Sequence, residues 1–315
     1  MNPDSKVYIA GHTGLVGSAL LRLLAARGFH RVVTRPRAEL DLTDAAAVGR
    51  FFQAERPEVV ILAAARVGGI RANSTYPADF IRENLLISLN VVQQAFATGA
   101  RSLVHFGSGC MYPKLCPQPM KEEHILTGPP EETNAAYALA KLAGAQLCHS
   151  YNQQHGTRFI VPIPANLYGP GDNFHPEDSH VIPGLLRRFH EAKLRGDGEV
   201  VIWGSGKPRR EFLFVDDLAA ATLFLVEQYS ENRPINVGYG SDVSVLELAE
   251  AVRRAVGYAG SIQLDVTKPD GMPRKFMDSS RLTALGWRPS VGLEEGLRRT
   301  YQDYLVSSAV QRKVG

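Results

Sequence analysis

A short apolar run, Lys6-Val7-Tyr8-Ile9-Ala10, passes directly into Gly11-His12-Thr13-Gly14-Leu15-Val16-Gly17, and a leucine- and alanine-rich stretch follows over 18–27. This order predicts a strand, a glycine turn and a helix. Such a turn aims backbone N–H groups and the positive end of a helix at one point, and its glycines let a phosphate approach the main chain. The GxxGxxG spacing is a variant of the dinucleotide fingerprint. Glycine turns between strand and helix also occur without ligands, so the rest of the chain has to decide.

Residues 31–34 read as the second strand. An acid that would take a ribose 2′-hydroxyl is expected at its end, but Thr34-Arg35-Pro36-Arg37 stands there. Two arginines suit a 2′-phosphate, hence NADP, with solvated surface arginines as the other reading. Asp41-Leu42-Thr43-Asp44 reads as a loop and N-cap before a helix over Ala45–Glu55. Residues 57–65 form a near-continuous apolar run of the kind buried in parallel sheets, with small residues at its end. A helix over Pro77–Ala97 and a strand over 102–107 continue the alternation. The fold class is therefore α/β, a Rossmann doubly wound parallel sheet.

From Leu167 onward the glycine, proline and histidine content rises and the alternation breaks. We place the cofactor lobe at 1–166 and a smaller, mainly substrate-binding lobe at 167–315, with 212–238 returning to the first. Helices are expected over 218–229, Val245–Val256 and 293–304, and a strand over 234–238.

Composition excludes several classes. A net charge of +3 from 35 basic and 32 acidic residues, spread along the chain, points to neither a nucleic-acid nor a membrane surface. The longest apolar runs fall far short of the roughly 18 residues a bilayer span needs, and residues 1–6 lack the apolar core of a signal peptide. Three cysteines argue against a disulfide framework and for a reducing, cytoplasmic compartment. No metal is expected.

The chemistry gathers after the strand over 102–107. Gly107-Ser108-Gly109-Cys110-Met111-Tyr112-Pro113 lies where open α/β sheets bind ligands, outside the carboxyl ends of their strands. Ser108 can hydrogen-bond a substrate oxygen, and Cys110 can carry a proton to or from carbon. Tyr137 and Lys141, four apart on a helix-favouring run, share one face. An ammonium beside a phenol lowers its pKa, so Tyr137 could protonate a carbonyl oxygen while hydride reaches its carbon. The same spacing also serves simple amphipathic packing. Cys148, within an apolar helix, reads as a structural thiol, Cys116 has no evident partner, and Trp287 reads as core.

These residues resemble the extended short-chain dehydrogenase/reductase family, through the glycine turn, Leu62-Ala63-Ala64, Ser108, Tyr137/Lys141 and Pro164-Ala165-Asn166-Leu167-Tyr168-Gly169-Pro170. Within that family the chain looks most like the bifunctional 3,5-epimerase/4-reductases of GDP-4-keto-6-deoxy-D-mannose. That likeness rests on Ala64 to Ile70, Asn73 to Ile81, Cys110 to Lys114, Asp172 to Pro176, Ser179 to Pro183, Val201 to Gly206 and Lys268 to Lys275.

The resemblance implies a reductive triad of Ser108, Tyr137 and Lys141, and an epimerising pair of Cys110 and His180. It implies NADP held by Gly11, His12, Thr13, Gly14, Leu15, Val16, Gly17, Arg37, Leu40, Asp41, Ala64, Lys141, Pro164, Asn166, Leu167 and His180. It places Arg188, Trp203, Arg210, Asp270 and Lys275 against the GDP-sugar, and implies a homodimer joined by Pro77–Ala97 and the Tyr137 helix. Two departures are visible. Gly109 stands where the family often has serine, and Thr13 where some members carry a basic residue, leaving Arg37 to favour NADP.

Rival readings remain open at this point. A 4,6-dehydratase would carry an acid pair where Gly109 and Cys110 stand. A sister enzyme acting on another GDP-4-keto sugar, such as a colitose precursor or a heptose, is not separated by sequence. A Rossmann binding module without turnover would commonly lack the Tyr/Lys pair.

Overall fold

The computed structural model describes residues 1–176 and 179–314. The first half alternates strand and helix as β1 (Val7–Ala10), α1 (Leu15–Ala26), β2 (Val32–Val33), α2 (Ala45–Glu55), β3 (Val59–Leu62), α3 (Ile70–Thr75), α4 (Pro77–Ala97), β4 (Ser102–His105), α5 (Ala135–His155) and β5 (Phe159–Ile160). The second half continues with β6 (Pro162–Pro164), β7 (Asn166–Tyr168), α6 (Val181–Arg195), β8 (Glu199–Trp203), β9 (Arg209–Arg210), β10 (Phe212–Phe214) and α7 (Val215–Gln228). It ends with β11 (Ile235–Val237), β12 (Val243–Ser244), α8 (Val245–Val256), β13 (Ser261–Asp265), β14 (Arg274–Lys275), α9 (Ser280–Ala284) and α10 (Leu293–Val314).

Strands β1 to β5 form one parallel sheet in the order β2-β1-β3-β4-β5. The order reverses at β1, which pairs with β2 on one side and β3 on the other. That reversal opens a crevice above the carboxyl ends of β1 and β3, the usual ligand position in such sheets. Because helices cover both faces, β1, β3 and β4 are buried at every residue and read as continuous apolar runs.

Helix α2 starts where expected because the Asp44 carboxylate accepts from the Ala46 and Ala47 amides. Helix α1 begins at Leu15, inside the glycine motif and three residues before the expected 18, so the turn and the helix N-terminus are one feature. Helix α6 was not expected at all, and α10 runs ten residues past 304.

Two apolar clusters organise the packing. One joins β1, β3 and β4 with α7, β11, Met277 and Leu282. The other packs α6, α8, β8 and Leu297 of α10 around Tyr168, Phe212 and Phe214. No helix among the described residues is long and apolar enough to cross a membrane.

Candidate active site

A cavity of about 840 Å³ lies over the crevice, and its buried apolar lining, including Tyr8, Leu40, Phe106, Met120 and Met277, comes from the first cluster. Its first wall is the glycine turn. Gly11 has φ +82°, and a Cβ there would sit 2.6 Å from the Ala64 amide nitrogen, so the turns after β1 and β3 pass at a distance only glycine allows. A Cβ at Gly17 would overlap the Gly11 carbonyl oxygen. No side chain caps α1 and no acid stands in its first turn, leaving the positive helix end directed at the cavity.

Residues Gly11 to Val16, Arg37, Leu40, Asp41, Ala64, Pro164, Asn166 and Leu167 all line the cavity; Gly17 does not, and lies packed beneath the turn. Arg37 is 73% exposed at the rim, 3.6 Å from Glu83 and 3.9 Å from Asp41.

Ser108, Cys110, Tyr137, Lys141 and His180 share the same cavity, although they come from β4, α5 and the start of α6. Ser108 Oγ accepts the Cys110 amide at 3.2 Å and also bonds Tyr137. The expectation that Lys141 lowers the Tyr137 pKa is not met. Burial is the larger effect and raises the phenol, outweighing the Ser108 bond. Lys141 Nζ donates instead to the Phe106 carbonyl at 2.9 Å, lies 5.9 Å from the Tyr137 ring centre, and is itself pushed down to about 8 by burial.

Asn134 Nδ2 donates to Cys110 Sγ at 3.2 Å, which holds the thiol group in place on the cavity wall. His180 occupies the N-cap of α6 on the cavity wall, where it is exposed as a residue while desolvation of its ring lowers its pKa. Of the remaining thiols, Cys148 is fully buried and pushed up to about 12, while Cys116 lies 3.4 Å from His124 Nδ1, a partner the sequence did not reveal.

The expected substrate residues divide. Lys275 lines the cavity, whereas Arg188, Trp203, Arg210 and Asp270 lie outside its lining. Arg188, expected near a loop, projects from α6 and donates to the Val201 carbonyl at 3.2 Å. Trp203 is 69% exposed, with Lys268 Nζ 5.7 Å from its ring centre. Asp270 accepts from the Ser205 amide and hydroxyl at 2.8 and 2.6 Å, and Arg210 Nη1 donates to the Met272 carbonyl at 2.7 Å. Arg210 also pairs in register with Lys275 across β9 and β14, so this cluster adjoins the cavity at Lys275.

One residue was missed, and Gly109, already singled out in the sequence, has a role that only the fold shows. Glu211, buried beside Arg210, accepts from the Gly240 amide at 2.8 Å and the Met277 amide at 3.0 Å. It thereby ties β9 and β14 to the turn after β11. Gly109 provides space: a Cβ there would lie 2.9 Å from Met277 Cε and 3.3 Å from Lys275 Cε. Its smallness lets both side chains reach the catalytic wall.

A parallel nucleotide-binding sheet with a serine, tyrosine and lysine at its carboxyl edge defines a Rossmann enzyme that acts through a dinucleotide. The chain belongs to the NAD dependent epimerase/dehydratase family, whose profile matches residues 7–238. It is 55% identical over 302 residues to GDP-L-fucose synthase 1 of Arabidopsis thaliana, covering 96% of this chain and 94% of that one. A GDP-D-glycero-L-gluco-heptose synthase from Campylobacter jejuni, solved in the presence of NADPH, superposes with TM-score 0.91 at 39% identity, covering 97% and 99% of the two chains. A GDP-L-fucose synthetase from Naegleria fowleri bound to NADP gives TM-score 0.91 at 28% identity, with 98% and 96% covered.

Proposed function

We propose that this chain converts GDP-4-keto-6-deoxy-D-mannose to GDP-L-fucose by 3,5-epimerisation followed by NADPH-dependent reduction of the C4 ketone. The observation that carries the reading is the gathering of Ser108, Cys110, Tyr137, Lys141 and His180 on one cavity above the glycine turn. Likeness to fucose synthases at 55% identity supports the substrate.

The uncapped N-terminus of α1, the close approach permitted by Gly11, and the absence of acid in the first turn fit a dinucleotide diphosphate. Arg37 and Arg35, in place of a ribose-binding acid, fit a 2′-phosphate. NADPH, when bound, supplies hydride to C4.

The C–H bonds at C3 and C5 are acidified by the neighbouring ketone, so each proton leaves through an enolate and returns on the opposite face. That requires two proton carriers, Cys110 and His180. Asn134 positions the Cys110 sulfur, and desolvation disfavours the charged form of His180, which leaves a neutral imidazole able to accept a proton. Tyr137, held protonated by burial, gives its proton to the C4 oxygen while Ser108 orients that oxygen. Lys141, anchored on the Phe106 carbonyl, helps to hold the cofactor.

The GDP moiety is assigned to Arg188, Trp203, Arg210, Asp270 and Lys275, where guanidinium forks suit a diphosphate. The first apolar cluster is read as the cofactor lobe and the second as the substrate lobe. Exposed Leu85 and Leu89 on α4 and Leu139 on α5 favour a homodimer through these helices.

The test is to supply GDP-4-keto-6-deoxymannose with NADPH or NADH and follow nicotinamide absorbance. Oxidation of NADPH is expected, and no oxidation with either cofactor would refute the reading. The similarity to a GDP-heptose synthase favours a second reading, a GDP-4-keto-heptose substrate. That reading holds if the heptose is turned over and the deoxymannose is not.

A further inference from the structure

Asp172 closes the turn that follows β7, its amide donating to the Gly169 carbonyl at 3.2 Å. Its Oδ1 accepts the Asn173 amide at 2.8 Å. Its Oδ2 is shut off from solvent and has no hydrogen-bond partner among the described residues, although the residue lines the cavity. Leaving a carboxylate oxygen buried and unbonded is costly, so the group calls for either a proton or a ligand.

The turn is fixed in place. A Cβ at Gly171 would lie 3.0 Å from Ser18 Oγ in the second turn of α1, and the Gly171 amide donates to Asp303 of α10 at 2.9 Å. Asp172 is therefore presented beside the N-terminal turns of α1, where a phosphate group is favoured.

We propose that Asp172 enters the dinucleotide complex as the neutral acid and that its carboxyl group, turned so that the protonated oxygen faces the cavity, donates to an oxygen of the cofactor's diphosphate. A carboxylate at that place would repel the diphosphate, whereas a carboxylic acid supplies it with a donor. Burial, the largest influence on the group, pushes its pKa up to about 7.

The ionisable neighbours are few. His12 comes from the glycine turn with its own Nδ1 enclosed and unbonded among the described residues, and His180 stands at the head of α6. Asp303 holds the Gly171 amide, and Arg22 of α1 is paired with Asp216 of α7 at 2.7 Å. Across the same cavity stand Cys110, Tyr137 and Lys141. No ion pair to Asp172 is present among the described residues.

This inference rests on the proposed dinucleotide site. It is tested by titrating the intact chain with NADPH between pH 6 and 9, following cofactor fluorescence, and comparing Asp172→Asn and Asp172→Ala. The cofactor phosphate and the imidazoles titrate in every protein, so the difference between proteins is the readout. The parent's dissociation constant should rise about tenfold from pH 7 to 8.5, because binding takes up a proton. In Asp172→Asn, whose amide remains a donor, the rise should be under about twofold, and binding at pH 8.5 should be tighter than the parent's.

Asp172→Ala should bind more weakly than Asp172→Asn at every pH. Without cofactor, Asp172→Asn should melt higher than the parent at pH 8, since the folded group has the higher pKa and the parent loses stability as pH rises from about 4 to 7. Weaker binding by Asp172→Asn at all pH values would make Asp172 a charged acceptor for a ribose hydroxyl and overturn the proposal. Identical titrations of parent and both variants would leave the residue purely structural. A parent that binds no NADPH at any pH would remove the dinucleotide site and this inference with it.

Discussion

Asn134 Nδ2 donates to Cys110 Sγ across 3.2 Å, joining the residue just before α5 to the turn after β4. The bond places a polar donor on the sulfur assigned to proton transfer at carbon. Cys110→Ser should lower deuterium exchange into the sugar at least about a hundredfold, while ketone reduction of an already epimerised substrate falls only a few-fold. Asn134→Ala should give a smaller loss of exchange in the same direction. Equal losses in both half-reactions would show that Cys110 serves the fold rather than proton transfer.

Tyr137 is the proposed proton donor to the C4 oxygen. Tyr137→Phe keeps the ring and its packing, so NADPH binding should be unchanged while reduction falls by about 10²–10⁴-fold. Titration of the cofactor and stopped-flow absorbance separate the two effects. Unaltered turnover would remove Tyr137 from the chemistry.

Gly109 leaves room for the ends of Met277 and Lys275. Both are flexible side chains, so Gly109→Ala should cost less than about 1 kcal/mol of stability. By moving Lys275 it should raise KM for the GDP-sugar severalfold with little change in kcat. Urea denaturation and steady-state kinetics check the two halves, and an unchanged KM would dissociate Lys275 from the substrate.

Lys141 is buried and pushed down to about 8, against about 10.5 for a solvated lysine. Between those values the unfolded chain binds more protons than the folded one, so this residue's contribution to stability rises as pH climbs through that window. Lys141→Met should lack that rise. Urea midpoints of parent and variant at pH 7.5 and 9.5 should therefore converge or cross in the parent's favour at the higher pH. A constant difference would mean that the folded lysine titrates normally.

Much of the fold was legible because local signals agreed with the tertiary structure. Ala45–Glu55, Pro77–Ala97 and Val245–Val256 have the expected bounds, set by an Asp44 cap, a proline at the first helical position, and a Ser244/Glu247 capping box before a closing Gly257. Helix α6 escaped because its start lies in a stretch rich in proline, glycine and histidine. Its apolar residues Ile182, Leu185, Leu186 and Phe189 find their partners in α8 and β8, far along the chain.

The site was legible as residue types but not as energetics. The spacing of Tyr137 and Lys141 placed both on one cavity, yet the lysine turns to the Phe106 carbonyl and burial governs the phenol. The partners of Cys110, Cys116 and Glu211 are side chains or amides that only the folded chain brings near. Asp172 looked like one residue of a loop, because the loss of its hydrogen-bond partner is a property of packing.

The most direct test of the account is to run the complete reaction in D₂O with NADPH and assign the sugar by NMR. The account predicts GDP-L-fucose carrying deuterium at both C3 and C5, from inversion by solvent-exchanged carriers, with hydride from NADPH at C4. A reduced D-sugar with protium at C3 and C5 would leave a simple ketone reductase and contradict the roles of Cys110 and His180.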